Sequence, residues 1–128
     1  MSERDHELDN IYMEFILENY RNPKNYGSMD NPTVERSGSN PLCGDEITIY
    51  LRIENNRIVD VRFTGRGCAI SQASASILTE MIKGKDLDYV KGLKEEDLLS
   101  ALGIELSPAR LKCALLSYRV LKDSVSGF

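Results

Sequence analysis

The stretch NPLCGDEITIYLRIENNRIVDVRFTGRGCAI, residues 40–70, decides the fold of this chain. Apolar and more polar side chains alternate along residues 46–53 and again along residues 57–65, which is the period of a half-buried strand. The ENN between them predicts a turn, because asparagine tolerates the left-handed conformation. The two segments therefore predict an antiparallel hairpin with one face toward water. The side chains predicted to face the core are Ile47, Ile49, Leu51 and Ile53 on the first strand and Val59, Val61 and Phe63 on the second.

Two of the three cysteines flank this hairpin. Cys43 lies in the loop before the first strand and Cys68 in the glycine-rich turn after the second, so both are expected at the same end of the sheet. The neighbouring glycines allow unusual backbone angles and close approach to a ligand. They are Gly44, Gly65 and Gly67.

Asp45 and Cys113 are the other candidate site residues. A carboxylate two residues after Cys43 is a poor neighbour for a buried thiol and a good neighbour for a metal. Cys113 lies off the apolar stripe of the last predicted helix. It comes close to Cys43 and Cys68 if the N-terminal end of that helix packs at the same end of the sheet. Three sulfurs and one oxygen suit zinc or one end of an iron–sulfur cluster, and the more readily displaced carboxylate makes such a site labile. Because cysteine is often buried, inert core thiols are the alternative.

The rest of the chain predicts helices around a small sheet. A helical period from Leu8 to Tyr20 ends near Asn22, since a residue before proline is pushed out of the helical region. TVERSGSN, residues 33–40, predicts a short strand followed by a turn at SGSN. Segregated strands and helices indicate an α+β fold with helices on one face of the sheet. Further helical patterns cover residues 68–84, 86–93, 94–103 and 107–125.

The last of these helices has a clear start signal. Ser107 is a natural N-cap and Pro108 fits the first helical position. Its predicted core stripe comprises Leu111, Leu115, Tyr118, Leu121 and Val125.

Length and composition exclude several classes of protein. The 128 residues fit one domain, residues 1–128, and the net charge of −4 without a basic run argues against nucleic acid as a partner. The start, MSERDHELDN, lacks the features of a secretory signal, and no apolar run is long enough to span a bilayer. We expect a cytoplasmic protein with no membrane partner and with reduced thiols. His6 is the single histidine, so no Cys–His nucleophilic pair is expected.

Three motifs closely resemble the NifU-like N-terminal domain family of iron–sulfur cluster assembly proteins, which includes IscU and SufU. They are NPLCGD at residues 40–45, GRGCAISQASAS at 65–76 and PARLKCALLS at 108–117. The resemblance, which extends to YMEFILENYRNPKNYG at 12–27, implies one such domain over residues 1–128 with a three-stranded antiparallel sheet and helices packed on one face.

The resemblance also implies a site and its partners. The family's functional residues match Cys43, Asp45, Cys68 and Cys113 in this sequence, which would hold zinc or a [2Fe–2S] cluster. The implied partners are a pyridoxal-phosphate cysteine desulfurase of the IscS, SufS or NifS type, and downstream iron–sulfur carriers or apoproteins.

The family has two branches, and this chain has features of both. SQASAS and the basic Lys112 before the third cysteine resemble SufU, but the stretch from Cys68 to Cys113 is too short for the insertion typical of SufU. We expect a scaffold that accepts sulfur from a desulfurase and builds a transient [2Fe–2S] cluster for transfer to apoproteins.

Two alternatives stay open. One is a zinc-dependent sulfurtransferase of the SufU type that activates a SufS-type desulfurase. Cys113 is then the predicted persulfide acceptor, because it is expected on a helix near the surface beside Lys112. The other is a structural zinc domain, which Asp45 disfavours because closed structural sites prefer cysteine and histidine.

Overall fold

The order of elements is one helix, three strands and then five helices within the part of the chain that the structure describes. The computed structural model describes the backbone of residues 3–128 and the side chains of residues 11–128, so Leu8 and His6 lie outside the described side chains. None of the helices in this described part has the length and apolar character of a membrane span. The elements are α1 (Glu3–Arg21), β1 (Val34–Asn40), β2 (Asp45–Glu54), β3 (Arg57–Arg66), α2 (Ala69–Ile82), α3 (Leu87–Gly92), α4 (Glu95–Leu102), α5 (Pro108–Ala114) and α6 (Leu116–Val125).

The three strands form one antiparallel sheet with β2 at its centre. Asn55 and Asn56 make the predicted turn between β2 and β3, with φ of 51° and 62°. Ile49 pairs with Phe63, and both side chains are buried on the face that the helices cover. The opposite face carries polar residues such as Thr48. The predicted α+β fold class is therefore confirmed.

One core prediction in the hairpin is wrong, because β3 contains a bulge. Arg52 pairs with Asp60 and the next pair is Ile53 with Ile58, which leaves Val59 without a partner on β2. An extra residue in one strand reverses which side chains face the core beyond it. Ile58 is consequently fully buried, whereas Val59 is 39% exposed.

The turn predicted at SGSN is also wrong. Strand β1 continues through this segment to Asn40, which pairs with Asp45, and the turn consists of residues 41–44. Gly38 lies against α6, where a Cβ atom would overlap Val120 Cγ2. This glycine therefore allows close packing between strand and helix, a requirement that local turn propensity does not reveal.

Two layers of helices cover the apolar face of the sheet. Helix α2 packs on β3 and α6 packs on β1 and β2, while α1 packs on α2. The buried Ser76 hydroxyl donates to Asn19 Oδ1 over 2.7 Å and accepts the backbone N–H of Lys24 over 2.8 Å. These bonds attach α1 and the loop after it to the helix that begins next to Cys68.

The loop after α1 also covers the outer edge of β3. The backbone N–H of Gly27 donates to the carbonyl of Phe63 over 2.8 Å, and the N–H of Phe63 donates to the carbonyl of Asn25 over 3.0 Å. The Tyr26 ring packs edge-on against Phe63 with 5.3 Å between centroids. This pairing closes an edge that would otherwise be open to another strand.

The last predicted helix is divided into α5 and α6 at Leu115, whose φ is −94° and ψ is 0°. Its start is confirmed, since the Ser107 side chain accepts the backbone N–H of Arg110 over 3.4 Å and Pro108 follows the cap. The division separates the short helix that carries Cys113 from the helix that packs on the sheet.

Candidate metal centre

Three chain segments bring the candidate site residues to one end of the sheet. The turn of residues 41–44 carries Cys43, and the first residue of β2 is Asp45. Cys68 follows β3 and is the N-cap of α2, while Cys113 lies on α5. Cys43 and Cys68 therefore lie at the same end of the sheet, as the hairpin geometry predicted, and the N-terminal part of the last predicted helix brings Cys113 to them. The role of the four residues as metal ligands stays a prediction.

Three of the four proposed donors, those of Cys43, Asp45 and Cys113, lie close enough together to bind one ion, whereas the Cys68 sulfur is not within this group. Three ligand atoms lie within 4.8 Å of one another, namely one each from Cys43, Asp45 and Cys113. The sulfurs of Cys43 and Cys113 are 3.2 Å apart. Cys68 contacts this group through Asp45. Its sulfur is 3.8 Å from Oδ2 of Asp45, and its backbone N–H donates to Oδ1 over 2.8 Å.

A glycine conformation makes the contact between Asp45 and Cys68 possible. Gly67 has a φ of +136°, and a Cβ atom there would overlap Oδ1 of Asp45. Gly44 also has a positive φ, +70°, but a Cβ atom there would meet nothing within 4 Å. The requirement for glycine is therefore steric as well as conformational at residue 67, and conformational alone at residue 44.

The four candidate ligands differ sharply in exposure. Cys43 is exposed and Cys68 half-buried, whereas Cys113 is 1% exposed and Asp45 fully buried. The expectation that Cys113 lies near the surface is therefore wrong. Cys113 lies off the apolar stripe of α5, but its side chain does not face water. The other candidate ligands cover that side of the helix.

Burial raises the pKa of the Cys113 thiol well above its usual range, and hydrogen bonding to its three neighbours in the cluster adds to this effect. The metal-free site consequently keeps this thiol protonated near neutral pH. A metal ion must displace that proton, because the thiolate is the ligand.

Asn40 and Lys112 lie around this thiol pair. The buried Asn40 directs its side-chain amide at the Cys113 sulfur over 3.9 Å, and the Cys113 thiol points to the Ala109 carbonyl at 3.6 Å. Sequence reasoning missed Asn40, because the SGSN segment that ends at this residue indicated only a turn.

Lys112 is exposed, and it lines a hollow of about 240 Å³ beside Cys43. Asn40, Leu42, Pro108 and Ala109 complete the lining. No hydrogen bond or ion pair joins Lys112 to the four donors among the described side chains.

The donor set fits the metals that the sequence predicts. Two thiolates about 2.3 Å from one tetrahedral zinc stand about 3.8 Å apart. The sulfurs of Cys43 and Cys113 are 3.2 Å apart, so they need to separate by only about half an ångström to bind one zinc ion. Thiolates also bind the iron of iron–sulfur clusters.

Comparison with known proteins connects this site to one family. Residues 11–128 match the model of the NifU-like N terminal domain. The zinc-dependent sulfurtransferase SufU of Bacillus subtilis strain 168 is 35% identical, with 93% of this chain and 92% of the relative covered. The iron–sulfur cluster assembly scaffold protein IscU of Thermotoga maritima is 38% identical, with 90% and 92% covered.

A solved structure agrees with these sequence relatives. A protein from Fervidobacterium islandicum AW-1, described as an iron–sulfur cluster assembly scaffold for the SUF system, superposes with a TM-score of 0.75 at 31% identity. The match covers 88% of this chain and 94% of that one. The chain therefore belongs to the NifU-like N-terminal domain family, as its three cysteine motifs predicted.

Proposed function

We propose that this chain, as one domain over residues 1–128, is an iron–sulfur cluster assembly protein. The observation that carries the proposal is the convergence of three sulfurs and one carboxylate at one end of the sheet. Cys43, Asp45, Cys68 and Cys113 are the proposed ligands. IscU and SufU relatives at 38% and 35% identity support iron–sulfur assembly and do not favour one branch over the other.

In the first form of the proposal the chain is a scaffold. It accepts sulfur from a cysteine desulfurase and holds a [2Fe–2S] cluster, which is its cargo, until transfer to an apoprotein. Asp45 gives this site one oxygen among three sulfurs, and a carboxylate is more readily displaced than a thiolate. The exposed Cys43 leaves the cargo accessible from the turn of residues 41–44.

In the second form the chain is a zinc-dependent sulfur acceptor that activates a SufS-type desulfurase. The observation that favours it is Lys112, an exposed cation beside Cys113 that lines the hollow at Cys43. Zinc would keep the thiolates deprotonated and ordered. The four donors would hold it, and one thiolate would be freed when a partner binds.

Membership of this family supports the partners that we propose. A cysteine desulfurase supplies sulfur, and iron–sulfur carriers or apoproteins receive the product. The acidic chain, with its net charge of −4, gives no reason to expect nucleic acid or a membrane surface as a partner. We place the protein in the cytoplasm, where its thiols stay reduced.

Metal analysis of the purified protein separates the two forms. Purification without oxygen that yields a brown protein with two irons per chain supports the scaffold. A colourless protein with one zinc that stimulates a desulfurase supports the acceptor. An Asp45→Cys variant tests the role of the carboxylate, since four thiolates should release metal to a chelator more slowly than the natural donor set. If serine at position 43, 68 or 113 leaves both metals bound at full stoichiometry, the proposed site is wrong.

A further inference from the structure

The Cys43 and Cys113 thiols touch each other, but only Cys43 is accessible from outside the protein. Their sulfurs are 3.2 Å apart, yet Cys43 is exposed and Cys113 is 1% exposed. A protein that delivers sulfur can reach the first thiol and not the second. The thiol predicted to carry the persulfide is thus shielded by the thiol that meets the partner.

We propose that sulfur is received by Cys43 and then passes within the chain to Cys113. This relay rests on the proposed function, in which the chain accepts sulfur from a desulfurase, and it adds a route and an order of events. Cys43 is the receiving nucleophile and Cys113 the second acceptor. Cys68 is less suited to receive sulfur, because it is half-buried at the N-cap of α2 whereas Cys43 is exposed.

The two transfers balance without an oxidant or a reductant. In the first, the Cys43 thiolate attacks the outer sulfur of the donor's persulfide, a new S–S bond forms on Cys43, and the donor leaves as a thiolate. In the second, Cys113 attacks the outer sulfur now on Cys43. The S–S bond on Cys43 breaks, an S–S bond forms on Cys113, and the proton of the Cys113 thiol passes to the Cys43 sulfur.

The surroundings of the pair suit this order. The hollow of about 240 Å³ borders Cys43 and leaves room for a second sulfur, and Lys112 offers a positive charge at its wall. Leu42, 81% exposed at the tip of the turn, presents an apolar side chain to whatever approaches Cys43. On the buried side, Asn40 directs its amide at the Cys113 sulfur, where a donor stabilises a developing thiolate.

The test maps the persulfide in the metal-free protein over time. The chain is mixed with a pyridoxal-phosphate desulfurase and L-cysteine, quenched with iodoacetamide at intervals, digested and analysed by mass spectrometry. We expect the persulfide on Cys43 first and on Cys113 later, with the Cys43 signal falling as the Cys113 signal rises. Cys113→Ser should retain sulfur on Cys43. Cys43→Ser should load Cys113 about a hundredfold more slowly, because the intramolecular step is lost.

The outcomes separate the relay from the proposed function. If Cys113 loads in Cys43→Ser as fast as in the unaltered chain, or before Cys43 in the unaltered chain, the relay is overturned while sulfur acceptance stands. If Cys43 loads and never passes sulfur on, the relay is overturned as well. If neither cysteine carries sulfur, the acceptor function itself fails. The time course in the unaltered chain decides the order even if Cys43→Ser does not fold.

Discussion

Asp45 Oδ1 accepts the backbone N–H of Cys68 over 2.8 Å, and this bond joins the first residue of β2 to the N-cap of α2. The carboxylate is fully buried, so its position depends on the atoms around it. Gly67 is the neighbour that leaves room for it, since a side chain there would occupy the place of Oδ1. The geometry of the candidate metal centre is therefore sensitive to a residue that offers no ligand.

A Gly67→Ala substitution should weaken zinc binding and lower the free energy of unfolding. Gly44→Ala is the matched control, because its φ is also positive but its Cβ atom meets nothing within 4 Å. The control should cost roughly 1–2 kcal/mol of backbone strain, and Gly67→Ala should cost more. Chelator competition and urea unfolding measure the two effects. Equal zinc affinity in the two variants would show that Gly67 does not position Asp45.

The three thiols should react with iodoacetamide at different rates in the metal-free protein. Cys43 should be alkylated first because it is exposed. Cys113 should be last, because it is buried and its raised pKa leaves little thiolate near neutral pH. Peptide mapping at short reaction times measures the order, and the same reaction in denaturant should remove the difference. Alkylation of Cys113 at the rate of Cys43 would contradict the burial described above.

Ser76→Ala should destabilise the contact between α1 and α2. The substitution leaves Asn19 Oδ1 and the Lys24 N–H without their partner in a buried place. Unsatisfied groups of this kind cost about 1–3 kcal/mol. The exposed Ser100 on α4 is the matched control, and Ser100→Ala should change stability by less than about 0.5 kcal/mol. Urea unfolding measures the loss of unfolding free energy in both variants. Equal losses in Ser76→Ala and Ser100→Ala would refute a structural role for Ser76.

Alkaline pH should destabilise the protein partly through Tyr118. Burial raises the pKa of Tyr118, and the nearby carboxylates of Glu95, Glu96 and Asp97 raise it further. Protonated Tyr118 therefore contributes its full stabilisation below about pH 10, which is the pKa of tyrosine in the unfolded chain. This stabilisation is lost as the pH rises through the higher pKa of Tyr118 in the folded protein.

The matching variant is Tyr118→Phe. At neutral pH it should cost about 1 kcal/mol, since the hydroxyl donates to the Leu93 carbonyl over 2.8 Å. Above pH 10 the difference in the free energy of unfolding between Tyr118→Phe and the natural chain should become smaller. Urea unfolding across this range measures it, and a constant difference would argue against the raised pKa.

Regular patterns in the sequence were enough to predict the hairpin, most helices and the end of the sheet where the cysteines meet. Alternation determined the faces of β2, and the cap residues Ser107 and Pro108 marked the start of α5 correctly. The strand and helix predictions succeed because each depends on neighbours close in the chain, and the hairpin that they define then places Cys43 and Cys68 at one end of the sheet.

The errors arose where distant segments decide the local structure. SGSN forms strand because α6 packs against Gly38, and Val59 turns outward because the register shifts opposite Arg52. Cys113 is buried by the turn that carries Cys43, seventy residues earlier in the chain. None of these contacts is visible in the residues next to the position concerned.

The turn of Asn55 and Asn56 lies at the opposite end of the hairpin from the four donors. Each of the ten-residue strands β2 and β3 spans about 30 Å, so that turn is the natural attachment point for a fluorescent reporter or a surface tether. A dye placed there would follow the arrival of a desulfurase or of iron at the far end without standing in its path.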